Sequence, residues 1–182
     1  LPPVTLETEM GMKLNTLVAQ CLLAGSLAGP ALAAERTPTQ AEDILLMAPV
    51  QRLVDAINHG QTSFPDGIFA PGAAMQDDFA PYHWSGAQAA QGWYGGLLGT
   101  NAADHAAFLA LHGVISAGKP SFARITDDAA YFVVPGVFLF DLAPGKRIRQ
   151  TATWVFSETH GPTGWLISGH AWAITGETDA GK

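Results

Sequence analysis

The segment from Met75 to Gly86 concentrates the side chains best suited to chemistry: the adjacent carboxylates Asp77 and Asp78, the imidazole of His83, and the rings of Phe79, Tyr82 and Trp84. Neighbouring residues on an extended segment point to opposite sides, so one carboxyl is expected to face inward and the other outward. An inward Asp77 beside apolar walls would have its pKa raised, and so become a usable general base. The alternative is that one acid caps the following turn while the other is solvated. Tyr82 and His83 are candidate ligand-binding residues, Tyr82 as a donor to a ligand carbonyl. Trp84 reads as a staple that holds the loop to the neighbouring helix end and sheet.

Two histidines complete the candidate catalytic set. His112 alternates with Phe108, Ala110 and Val114, and His170 with Leu166, Ser168, Trp172 and Ile174. If both face one interior, Asp77 with His112 or His170 makes an acid and base couple; otherwise each is a core or interface residue. Trp93, Trp154 and Trp172 read as core or dimer surface or as aromatic walls for a flat apolar ligand, and Gln150, a polar group on a strand expected at the sheet centre, either orients a ligand or pairs across a dimer. No cofactor is called for. Spacings of the His-x-His, His-Glu-x-x-His and Cys-x-x-Cys kinds are missing, the glycine-rich Gly92 to Gly99 run lacks the lysine of a phosphate loop, and no Gly-x-Ser-x-Gly elbow occurs.

Several elements must position these residues. Thr39 and Glu42 have capping-box spacing ahead of an apolar run, which predicts a helix that is either kinked or divided at Pro49 and stops at Gly60. Ala73 to Asp78 reads as a short extended segment, and Ser85 as the cap of a helix running to about Gly99. Alternation then predicts strands over Phe108 to Ser116, Ser121 to Ile125, Ala129 to Leu142, Lys146 to Ser157 and Trp165 to Thr175, with Pro135-Gly136 marking a bulge or bend. Residues 177–182 read as a disordered polar tail. Helices followed by a meander predict an α+β domain, a cone-shaped curved antiparallel sheet wrapped around N-terminal helices.

The 182 residues carry a net charge of −7 and are 48% hydrophobic, which suits one domain, here residues 35–176, and provides no basic footprint for nucleic acid. Lys13, the apolar run Leu14 to Leu27 and the small residues up to Ala34 read as a secretory signal peptide over residues 12–34, cleaved near Ala33 or Ala34. Residues 1–11 read as an upstream or expression-derived extension. The expected location is periplasmic or secreted, with no stable membrane anchor after cleavage. Cys21, the sole cysteine, falls in the apolar run of the leader, so the mature chain is expected to hold together without disulfides.

Three stretches carry a resemblance. These are Gln51 to Gly60 at the end of the first helix, Gln76-Asp77-Asp78 with Ser85-Gly86 eight residues after Asp77, and the strand entry Gly164-Trp165-Leu166-Ile167. In this order they resemble the nuclear transport factor 2-like superfamily, which includes ketosteroid isomerases, SnoaL-like polyketide cyclases, scytalone dehydratases and limonene epoxide hydrolases. The resemblance implies a cystatin-like α+β roll, a homodimer through the sheet face, and a small apolar or aromatic molecule in the cone. It sets Asp77 where ketosteroid isomerases hold their proton-shuttling aspartate, but sets Leu53 and Ala152 where those enzymes carry oxyanion donors. Arg124 and Arg149 are candidates for the arginine of an epoxide-hydrolase set, and His112 and His170 are of the residue type that scytalone dehydratases use on the sheet. The implied activity is a cofactor-independent isomerase or dehydratase-like lyase, the alternative a non-catalytic binding or dimerisation module with a filled cone.

Overall fold

Helix α1 (Gln40–Asn58) starts where the capping box places it. Thr39 Oγ1 accepts from the Glu42 N–H at 3.3 Å, and Glu42 Oε2 accepts from the Thr39 N–H at 2.8 Å. The helix runs through Pro49 undivided and lays Leu46, Val50, Leu53, Val54 and Ile57 into the core. The computed structural model describes residues 34–181, which belong to one compact unit. Residues 1–33, with Cys21 and all but the last residue of the expected leader, lie outside the described residues.

Seven strands make one sheet: β1 (Phe69–Gln76), β2 (His83–Trp84), β3 (Val114–Ala117), β4 (Phe122–Ile125), β5 (Ala129–Ala143), β6 (Lys146–Gly161) and β7 (Gly164–Asp179), in the order β2-β1-β7-β6-β5-β3, with β4 also on β5. The architecture is the α+β roll, a curved, unclosed sheet around helices. One pairing departs from the antiparallel expectation: β1 lies parallel to β7, with Met75 opposite His170 and Gln76 opposite Ala171. Asp77 therefore leaves the sheet beside the middle of β7. Strict alternation on β6 buries Gln150, Ala152, Trp154, Phe156 and Glu158 on the concave side.

Pro135 does not make the bulge expected of it, because the β5–β6 register runs unbroken through Pro135 and Gly136. Its missing N–H falls where β5 exchanges its neighbour β4, paired up to Val133, for β3, paired from Gly136. Gly136 is needed for another reason. A Cβ there would stand 2.5 Å from the Trp172 ring, so the glycine lets that indole lie across the strand.

Three element boundaries correct the sequence reading. Helix α2 (Ala89–Leu98) begins after a turn closed by the Ala89 N–H on the Gly86 carbonyl, so Ser85 does not cap it. The strand expected over Phe108 to Ser116 is instead the end of a third helix, α3 (Ala102–Ala110), a turn, and the short β3. Asn101 sets that helix, its Oδ1 accepting from the N–H groups of Ala103 and Asp104, both at 3.0 Å. The tail expected to be disordered from residue 177 continues β7 to Asp179, which pairs with Ile148. Its side chains are polar because they face solvent, while its backbone is held by the ladder to β6.

Candidate functional site

Asp77 stands at the end of β1, and its carboxylate is held from two sides. Oδ1 accepts from the Asp78 N–H at 2.8 Å, and Oδ2 accepts from the indole N–H of the buried Trp93 on α2 at 2.7 Å. The two acids do diverge: Asp77 is half-buried and Asp78 exposed. Burial is the main reason that Asp77 is pushed up to about 7; the Trp93 hydrogen bond opposes the rise, and the neighbouring Asp78 adds to it. Near neutral pH this carboxyl can accept or release a proton.

Both acids border a cavity of about 210 Å³. Its other walls are Trp93 and Leu97 of α2, Phe108 of α3, Ile57 of α1, Ile115 of β3, Phe138 and Phe140 of β5, Gln150 and Trp154 of β6, and Trp172 of β7. Gln150 is buried and fixed, its Oε1 accepting from the Trp172 N–H at 3.1 Å and its Nε2 donating to Glu177 at 3.0 Å. Among the described residues, no lysine, arginine or histidine lines this space, and no cluster of acids, histidines or cysteines could hold a metal ion.

The histidines separate. His112 does not share the cavity: it follows α3 at φ +46° in an exposed turn, with Nδ1 3.0 Å from Asp141 Oδ2. Arg147 joins that pair at 2.7 Å, and the His112 and Arg147 hydrogen bonds together hold Asp141 below the usual carboxylate range. The cause of the displacement is the helix in place of the expected strand. His170 is buried behind the wall. Trp154 Nε1 donates to its Nδ1 at 3.3 Å, the Trp93 ring packs edge-on at 4.4 Å, and burial lowers it to about 3, so it is neutral. Asp77 and His170 each contact Trp93, and among the described residues no hydrogen bond joins the two.

Of the candidate ligand-binding residues, Trp93, Gln150, Trp154 and Trp172 border the cavity, whereas Tyr82 on the β1–β2 turn and His83 at the start of β2 are exposed and do not. Tyr82 is 62% exposed at φ +69°. Trp84 packs on Phe79 with ring centroids 5.0 Å apart, and over Gly92 of α2, where a Cβ would come within 3.2 Å. Arg124 pairs with Glu35 at 3.1 Å and lies over the Phe122 ring, and Arg149 is exposed; neither borders the cavity.

Sequence reasoning missed Phe108, Phe138 and Phe140. Phe138 and Phe140 could have been found, because they continue the alternation of Phe132, Val134 and Gly136 on β5. Asn58 was read only as part of a helix end. Its side chain donates to the Ile115 carbonyl at 2.9 Å and accepts from the Ile115 N–H at 2.8 Å, which fixes β3 against α1 at the cavity.

Comparison with solved structures places this geometry. The hexachlorocyclohexane dehydrochlorinase LinA-type3 from Novosphingobium barchaimii LL02 superposes with a TM-score of 0.58 at 12% identity, over 76% of this chain and 90% of that one. An NTF2-like protein with a cystatin-like fold from Novosphingobium aromaticivorans gives 0.57 at 10% identity, over 94% and 92%. A nuclear transport factor 2 (NTF2-like) superfamily protein from Salmonella enterica serovar Typhimurium gives 0.55 at 14%, over 80% and 99%. The chain has the NTF2-like fold. No family model matches the sequence, and no curated protein matches it. These identities bear on architecture alone, so within the NTF2-like fold the chemistry has to be argued from the cavity.

Proposed function

We propose that this NTF2-like protein is exported and binds a small apolar or aromatic molecule in the cone, with Asp77 as the group that exchanges a proton with it. The observation that carries the reading is a carboxyl with a raised pKa, fixed by an indole donor at the wall of an aromatic cavity. The size limits the ligand. A dry cavity of about 150 Å³ takes one benzene ring, so 210 Å³ suits a one-ring compound. A four-ring steroid does not fit, in keeping with Leu53 and Ala152 at the positions of the isomerase oxyanion donors.

Asp77 supports a cofactor-independent elimination or isomerisation. It takes a proton from a ligand carbon, and the C–H electron pair forms the new double bond as a leaving group departs with its own pair. The dehydrochlorinase named among the fold's neighbours is an enzyme of that reaction class. A second reading, binding without turnover, is favoured by the placement of the histidines: with His112 on the surface and His170 buried behind the wall, no imidazole among the described residues borders the cavity. Under both readings the convex sheet face, with Tyr131 46% and Phe122 45% exposed, supports pairing of two copies.

The test is to screen one-ring compounds by tryptophan fluorescence and thermal shift, against wild type and a cavity-filling Ile115→Trp variant. Binding by wild type and its loss in the variant is the result expected. Equal binding by both variants, or none by wild type, would overturn the pocket. Turnover that is lost in Asp77→Asn makes the aspartate the base; turnover that survives there excludes it.

A further inference from the structure

The cavity has an unusual balance of charge. Three indoles (Trp93, Trp154, Trp172) and three phenyl rings (Phe108, Phe138, Phe140) border it, two carboxyls stand on one side, and among the described residues no basic side chain lines it to neutralise them. The nearest histidine behind the wall, His170, is buried with Nδ1 taken by Trp154, and it is neutral. Arg147, on the β5–β6 hairpin, is engaged by Asp141 near the turn. Among the described residues the carboxylate of Asp77 is met by hydrogen bonds from Trp93 and the Asp78 backbone, with no ion pair.

An anionic ligand has no partner here and would meet two acids. A neutral hydrocarbon fills the aromatic part but leaves the carboxyl side facing an apolar surface, at a desolvation cost. A cation answers both halves of the wall: aromatic faces attract it through their quadrupoles, and the carboxyls supply opposite charge in a partly desolvated setting. The net charge of −7 favours its approach.

We infer that the ligand class of this cavity is a compact, one-ring organic ammonium ion, with Asp77 as its counter-ion, Asp78 at the rim and the tryptophans as its cage. The inference rests on the small-molecule reading above and names its ligand. It agrees with Asp77 as a base, because a bound cation holds the carboxyl in the ionised form that a base requires.

The probes are benzylammonium and benzyl alcohol, which are similar in size and differ in charge, titrated by calorimetry into wild type and Asp77→Asn at pH about 8 and about 5. Benzylammonium stays protonated at both. The expected result at pH 8 is wild-type binding of benzylammonium at least tenfold tighter than of benzyl alcohol. That preference should shrink at pH 5, where Asp77 is protonated, and vanish in Asp77→Asn without loss of the alcohol's binding. Equal affinity for the two probes at pH 8, or a preference that persists in Asp77→Asn, overturns the ammonium inference while leaving the pocket in place. Binding of neither probe overturns both.

Discussion

Replacing Glu158 with Gln should stabilise the protein, and by an amount that grows with pH. Glu158 is 1% exposed on the concave side of β6, and neither carboxylate oxygen finds a hydrogen-bond partner among the described residues. Burial alone pushes it up to about 9 from an ordinary 4.5. The folded state therefore keeps a proton that the unfolded chain releases above 4.5, so stability falls as pH rises through the window from 4.5 to about 9 and is level outside it. Each pH unit in that window costs about 1.4 kcal/mol. Between pH 5 and 8 the loss attributable to this one group is thus about 4 kcal/mol, an upper figure if water reaches the site. Glutamine has nearly the same shape and no charge to lose, and any fixed cost of its buried amide is the same at both pH values. Urea unfolding of wild type and Glu158→Gln at pH 5 and 8 reads the difference directly. A stability gap that is the same at both would show that Glu158 is solvated or paired, and would refute the burial argument.

Trp93→Phe removes the indole donor to Asp77, and a hydrogen bond to a charged group is worth about 1.5–3 kcal/mol; the Asp77 pKa should rise by about one to two units, readable by NMR. Gly136→Ala forces a Cβ against the Trp172 ring, so chemical denaturation should show a loss of about 1–3 kcal/mol and near-UV circular dichroism a changed indole environment. Asn58→Ala strips both backbone groups of Ile115 of their partners and should cost about 2 kcal/mol or more, with faster hydrogen exchange at Ile115. Thr39→Ala breaks the capping box and should cost about 1 kcal/mol in the same denaturation assay.

Much of the fold was legible in the sequence because its signals are local. The Thr39 capping box, the alternation along β5 and β6, and the glycine turns each depend on a few neighbouring residues. The errors came where short apolar segments are ambiguous. Ala102–Ala110 holds an Asn101 cap with Asp104 in the first turn, yet Phe108, Ala110, His112 and Val114 also alternate, and periodicity over so few residues cannot choose. On a strand His112 would share a face with Phe108, whereas the turn after α3 carries it to the surface.

The candidate site was legible only in part. Asp77 and the tryptophans could be named from residue type and spacing, but their assembly depends on long-range pairing. The parallel β1–β7 register sets Asp77 beside β7, and the Trp93 indole reaches it from α2. Gln150 owes its orientation to Glu177, in the stretch whose polar composition reads as disorder. Side chains that serve a site through a partner distant in sequence leave no local pattern.

The central claim is that Asp77 is an ionisable group at the wall of an apolar cavity. The most direct measurement is the pH titration of its side-chain carboxyl carbon by NMR. The account predicts a midpoint of about 7, which moves down when a cationic ligand binds. A midpoint near the ordinary aspartate value of about 4, the same with and without ligand, would contradict it.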